Sequence, residues 1–198
     1  MYRSTIALLI SACLLWLAQA VNATTLTFEN FAPTGGLSLV TSGDPYTEAG
    51  LTLTPASTAY IVDSAFPVTM HGNNTDWYSM HPGISTTLTS ALGSFDLVSF
   101  MVGPTTITAS IPIDMTIIGT LSDGTVMTEN VTNLTSATLV NLVDWTDLTS
   151  VTFTSAFETG IDNIRVKVPE PNTLLLLGLG LVVFGIKRRR FIDDADTL

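Results

Sequence analysis

Two histidines, His71 and His81, flank Trp77 and Tyr78 in a stretch that also holds Asn73, Asn74 and Asp76. Aromatic rings stack on the apolar faces of sugars, and amides or carboxylates bond their hydroxyls, so this set suits a saccharide site with Trp77 and Tyr78 as the ligand-contacting pair. A polar loop pinned by one buried aromatic accounts for the same residues. Two imidazoles separated in this way, with one aspartate, do not form a zinc motif. Asp162 is the second residue of interest. It shares alternation parity with Ile164, Val166 and Val168, so without a bulge it faces the core, where a lone carboxylate needs hydrogen-bond donors or a cation. Capping of a turn through local backbone bonds is the competing role. Trp145, just before the apolar Val151–Phe153 run, suits packing better than stacking. There is no G-x-S-x-G, no glycine-rich phosphate loop and no H-E-x-x-H. Acid pairs such as Asp144 and Asp147 could serve glycoside hydrolysis in principle, but nothing sets them apart from solvated loop carboxylates. No catalysis is expected, and a secreted glycoside hydrolase is the least favoured reading.

The elements that must carry these residues are strands. From Thr24 to Val168 no stretch keeps a 3.6-residue apolar period, whereas short alternating runs recur between Gly, Pro, Asn and Asp. Leu26 and Phe28 alternate with threonines and Glu29, and Leu51 and Leu53 with Thr52 and Thr54. Residues 95–102 form a nearly continuous apolar run, and Ile113, Met115 and Ile117 alternate with Asp114 and Thr116. Residues 126–131, 151–153 and 164–168 complete the set, with Asp123-Gly124 as a hairpin turn. The abundant threonine suits a pleated surface. About eight to ten strands at this spacing predict an antiparallel β-sandwich. Residues 63–82 are predicted to form one long irregular loop.

The 198-residue chain has room for one ordinary domain and targeting segments. Residues 24–168 hold thirteen Asp and Glu against Arg165 and Lys167, a net charge of −11. With no basic patch, nucleic acid is not an expected partner. The sole cysteine, Cys13, lies in the first apolar run, so the domain is expected to lack disulfides and thiol chemistry. Arg3, the apolar run from Ile6 to Leu17 and small residues ending at Ala23 form the three-part pattern of a secretory signal peptide, residues 1–23, with cleavage after Ala23. Ile10-Ser11-Ala12-Cys13 loosely fits a lipidation box, but the apolar run continues beyond Cys13, which favours the simple signal peptide. At the other end Val168-Pro169-Glu170-Pro171 precedes a single transmembrane helix, residues 172–186, and the basic cluster Lys187, Arg188, Arg189 and Arg190. The fourteen residues from Thr173 to Ile186 span roughly 21 Å as helix, short of a hydrocarbon core of about 30 Å. Four adjacent cations resist translocation. They place residues 191–198, an acidic tail, in the cytoplasm and the 24–167 domain outside it.

The Pro-Glu-Pro motif, short apolar helix with Gly178 and Gly180, and terminal basic cluster resemble the PEP-CTERM sorting signal, residues 168–190. The resemblance implies that an integral-membrane exosortase processes the chain near the motif. It further implies a cell-surface or matrix destination after transient anchoring, and association with exopolysaccharide or biofilm. The acidic tail departs from the usual pattern, in which the signal stops soon after the arginines. Residues 144–153, DWTDLTSVTF, and 160–166, GIDNIRV, are similar to the last strands of jelly-roll domains of the galactose-binding and carbohydrate-binding-module kind. In such domains a Phe-Glu pair on the first strand and an Ile-Asp pair on the last bind structural calcium. The resemblance therefore implies Glu29 and Asp162 as calcium ligands, with backbone carbonyls completing the shell. The expected fold is an all-β, jelly-roll-like sandwich flanked by the signal helix and the transmembrane helix. The expected function is that of an exported, exosortase-sorted surface or matrix protein, with a carbohydrate-binding module as the alternative.

Overall fold

The computed structural model describes residues 21–70, 72–108 and 111–169. His71, residues 1–20 of the expected signal peptide, and the expected sorting signal from Glu170 and Pro171 through the apolar run, Lys187–Arg190 and the acidic tail lie outside the described residues. Residues 22–168 form one compact unit. Its thirteen strands among the described residues are β1 (Val21–Leu26), β2 (Leu37–Thr41), β3 (Tyr46–Glu48), β4 (Leu51–Pro55), β5 (Thr58–Val62), β6 (Trp77–Met80), β7 (Thr86–Ser90), β8 (Asp96–Pro104), β9 (Ile113–Leu121), β10 (Val126–Leu134), β11 (Thr138–Asn141), β12 (Leu148–Ser155) and β13 (Thr159–Pro169). One sheet runs β11-β8-β13-β6-β5-β2, with β1 also paired to β13, and the other runs β10-β9-β12-β7-β4-β3. Neighbouring strands pair antiparallel, as in the β13–β8 and β12–β9 ladders. The domain is thus an all-β antiparallel sandwich. Ala23 lies inside β1, so a chain starting at Thr24 keeps only the second half of that strand.

The inner faces meet in a core of Leu26, Phe28, Leu53, Ile61, Tyr78, Leu88, Phe100, Ile117, Phe153, Ile161, Ile164 and Val166, all buried. Each large apolar side chain removed from water in this way contributes about 1.5–3 kcal/mol. Trp145 is buried in the same core, as its packing role requires. The outer face of the second sheet explains the threonine content. Thr47 pairs with Thr52, Thr52 with Thr89, and Thr54 with Thr87. Thr87 pairs in turn with Thr152, and Thr154 with Thr116. Hydroxyls bond across strands at 3.1 Å for Thr47–Thr52 and 3.1 Å for Thr87–Thr152.

Two expectations are corrected. The long loop over 63–82 is interrupted by β6, whose four residues are all buried. A loop that covers the outer face of the first sheet removes the polar alternation by which a half-exposed strand is recognised. The parity of Asp162 is also reversed. The β13–β8 register slips between Asp162↔Met101 and Arg165↔Ser99, so β13 carries one extra residue there. Asn163 sits at φ 49°, a left-handed geometry that asparagine tolerates. Ile161 and Ile164 both reach the core, and Asp162 faces outward, opposite Met101.

Candidate functional site

The outer face of the first sheet carries a cleft of about 170 Å³, lined by Tyr60, Phe66, Trp77, Ser79, His81 and Glu158 together with the aliphatic side chains of Leu37, Val62, Val68 and Ile107. Strand parity brings these residues together. On β5, Ala59 and Ile61 enter the core, which turns Tyr60 and Val62 outward. On β6, Tyr78 and Met80 enter the core, which turns Trp77 and Ser79 outward, with His81 following. Tyr60 pairs with Ser79, and Ser79 with Gly160, so Glu158, preceding β13, reaches the same face. The Ser79 hydroxyl donates to Glu158 Oε1 at 3.3 Å. Tyr60 and His81 meet edge to face with centroids 5.3 Å apart.

The segment between β5 and β6 roofs part of this face. Met70 and Trp77 pack in a small outer cluster with Val62, flanked by Tyr60, Phe66 and Met101. They fit because residue 160 is glycine: a Cβ there would lie 2.6 Å from Met70 Sδ and 2.7 Å from Trp77 Cε3. Trp77 is only 1% exposed, so it walls the cleft and offers no open ring face for stacking. Its Nε1 is buried with no acceptor among the described residues, and a donor left unpaired in this way costs about 1–3 kcal/mol. Tyr78, the other ligand candidate, is corrected. Its side chain is fully buried between the sheets against Phe28. Burial raises its hydroxyl pKa to about 12, and a bond with Thr86 acts in the opposite direction. Tyr78 is a core residue.

Asp162 lies on the same outer face, wholly buried beneath the loop before β6. Its Oδ2 accepts from Asn73 Nδ2 at 2.9 Å, from Asn163 Nδ2 at 3.0 Å and from the Thr75 hydroxyl at 2.6 Å, and its Oδ1 accepts from the Asn163 N–H at 2.6 Å. Burial pushes its carboxyl up to about 6; the bonds from Thr75, Asn73 and Asn163 pull it back, and the Glu29 charge adds to the rise. Glu29 is itself raised, chiefly by burial and then by Asp76, while a bond from the Asp76 N–H opposes this. Residues 73–76 thus bridge the two carboxylates predicted to hold calcium. Asp76 anchors the loop on its other side, accepting from the Asn30 N–H at 3.1 Å and the Ser64 N–H at 2.9 Å.

The groups around Asp162 and Glu29 are hard oxygen in character: two carboxylates, two amides that can turn their oxygens inward, and a hydroxyl. Among the described residues no group of three His, Cys, Asp or Glu could hold a metal ion. Asp144 and Asp147 occupy left-handed turn positions, and Asp147 accepts from the Ser122 hydroxyl. They form part of a turn. Sequence reasoning missed Tyr60, Ser79 and Glu158. The available signal was Tyr60, an aromatic on the outward parity between Ala59 and Ile61.

No curated protein of similar sequence was found. The family model for the PEP-CTERM protein-sorting motif matches residues 167–190. Among solved structures, the chain is similar to the CBM22-1 xylan-binding domain from Paenibacillus barcinonensis Xyn10C, at 12% identity over 78% of this chain and 98% of that one, with a TM-score of 0.39. It is also similar to an adhesin domain of Lys-gingipain from Porphyromonas gingivalis, at 12% identity over 74% and 98% of the two chains, with a TM-score of 0.38. A third is the Clostridium thermocellum Xyn10B CBM22-1 and GH10 modules complexed with xylohexaose, at 11% identity over 75% and 29%, with a TM-score of 0.38. The chain joins an all-β sandwich directly to a PEP-CTERM sorting motif.

Proposed function

We propose that this is an exported, exosortase-sorted surface protein whose sandwich binds glycan, with the exopolysaccharide of a biofilm matrix as the natural ligand source. The observation that carries the binding reading is the outer-face cleft: aromatic residues Tyr60 and Phe66 line it together with Ser79, His81 and Glu158. A sugar offers what this surface lacks. Its C–H face covers an aromatic ring, and its hydroxyls pair polar groups that are poorly satisfied when empty. Glu158 is the one carboxylate among the cleft-lining residues. We further propose a structural calcium held by Glu29 and Asp162, neutralising the buried charge of Asp162 and fixing the loop that roofs the cleft.

Calorimetric titration of the mature domain with a panel of oligosaccharides tests the binding reading. At least one glycan is expected to bind, and Tyr60→Ala is expected to weaken it by tenfold or more. Failure to bind any oligosaccharide, or binding indifferent to Tyr60→Ala, overturns it.

A further inference from the structure

We infer that the cleft selects glycans bearing a free amine, of the glucosamine type, over their N-acetylated forms and over uronates. The inference rests on the glycan reading above and adds a charge preference to it. Glu158 lines the cleft, and its Oε1 accepts from the Ser79 hydroxyl. The only lysine and arginine among the described residues, Lys167 and Arg165, do not line the cleft. A carboxylate with no lysine or arginine beside it among the described residues, in a lining shared with Tyr60, Phe66 and His81, attracts a cation by charge and through aromatic rings. An ammonium on a sugar ring meets both. N-acetylation removes the charge and adds bulk. A uronate sets its own carboxylate against Glu158, within a domain that carries thirteen acidic residues against two basic ones, and like charges at such a surface cost affinity.

The test is titration of the mature domain with glucosamine oligomers, the matching N-acetylglucosamine oligomers and oligogalacturonate at low salt, repeated with Glu158→Gln and with Asp123→Asn. Asp123 is exposed in the β9–β10 turn, so its variant controls for general attraction to an acidic surface. The amine form is expected to bind about tenfold more tightly than the N-acetyl form, with the uronate weakest. Glu158→Gln is expected to bring the amine and N-acetyl forms within about twofold, and Asp123→Asn to leave the ranking intact. Equal binding of the two forms by the parent overturns the amine preference and leaves the glycan reading standing. So does a preference that survives Glu158→Gln, or uronate binding as tight as amine binding. Binding of none of the three oligomers also overturns the inference, and the broader oligosaccharide panel then decides the glycan reading separately.

Discussion

At the scale of single residues, Asp162 controls more than its neighbours do, because four donors converge on one buried carboxylate. Asp162→Ala would strand the amides of Asn73 and Asn163 and the Thr75 hydroxyl, at about 1–3 kcal/mol for each group left unpaired. Asp162→Asn keeps an acceptor for the Asn163 N–H, and the flanking amides can turn to meet the new one. The expected order of melting temperatures at pH 7 in chelator is Asp162→Asn at or above the parent, and Asp162→Ala well below it. The pH dependence follows from the direction of the shift. The carboxyl titrates near 6 when folded and near 3.8 otherwise, so the folded state holds the proton more tightly. The ionised form therefore costs stability above pH 6, by about 3 kcal/mol at most, and that cost is relieved as pH falls from 6 towards 4. Glu29, also raised, acts in the same direction. Asp123 and Asp147, lowered by bonds from Thr125 and Ser122, act oppositely, and their contribution is lost as pH falls below their unfolded values. In chelator the parent is expected to gain stability between pH 7 and pH 4.5 by chemical denaturation, with Asp162→Asn flatter over that window. Parallel profiles would assign the slope to other groups. Millimolar calcium is expected to raise the melting temperature of the parent and leave Asp162→Asn unchanged; identical melting with calcium and with chelator would end the calcium proposal.

At the scale of elements, the cleft depends on one close approach between β13 and the roof above it. Met70 and Trp77 occupy the space a side chain at Gly160 would need. Gly160→Ala must push them outward, and overpacking of this kind costs about 1–3 kcal/mol. The expected result is a lower melting temperature together with weakened glycan binding, since the displaced groups wall the cleft. Unchanged melting and binding would show that the roof yields freely. The same elements show what the sequence could and could not reveal. The half-exposed strands β4, β9 and β12 were legible because inward apolar residues alternate with threonine along them. By contrast, β6 was read as loop because both its faces are covered and Trp77–Met80 shows no polar alternation. Asp162 was correctly singled out as a carboxylate in need of partners, but on the wrong face. A single inserted residue at Asn163 reverses parity, and no composition signal distinguishes that bulge from an ordinary Asp-Asn pair. Glu158 escaped because its place in the cleft depends on β6 and β13 lying side by side, two strands far apart in the chain.

At the scale of the whole molecule, the sorting signal and the sandwich meet at the end of a single strand. β13 pairs with β8 along most of its length, contributes Ile161, Ile164, Val166 and Val168 to the core and ends at Pro169, where proline withdraws a backbone donor and cannot extend the ladder. Val168 is the last core side chain among the described residues. Processing anywhere past Pro171 should therefore leave the domain intact. A chain of residues 24–171 is expected to melt at the temperature of the mature protein and to bind the same glycan. A chain ending at Arg165 loses Val166 and Val168 from the core and the last β13–β8 pairs, and is expected to be unfolded at ordinary temperature. In a host with exosortase the full chain is expected to lose mass from its C-terminal end, whereas Glu170→Ala keeps it, as measured by intact mass spectrometry of the membrane fraction. Because Glu170 follows the last strand residue, the two proteins should show the same melting and the same glycan affinity. That equality separates a sorting defect from a folding one: equal processing of both chains would mean that the apolar run and basic cluster suffice for sorting, and a drop in melting temperature would mean that the motif also supports the fold.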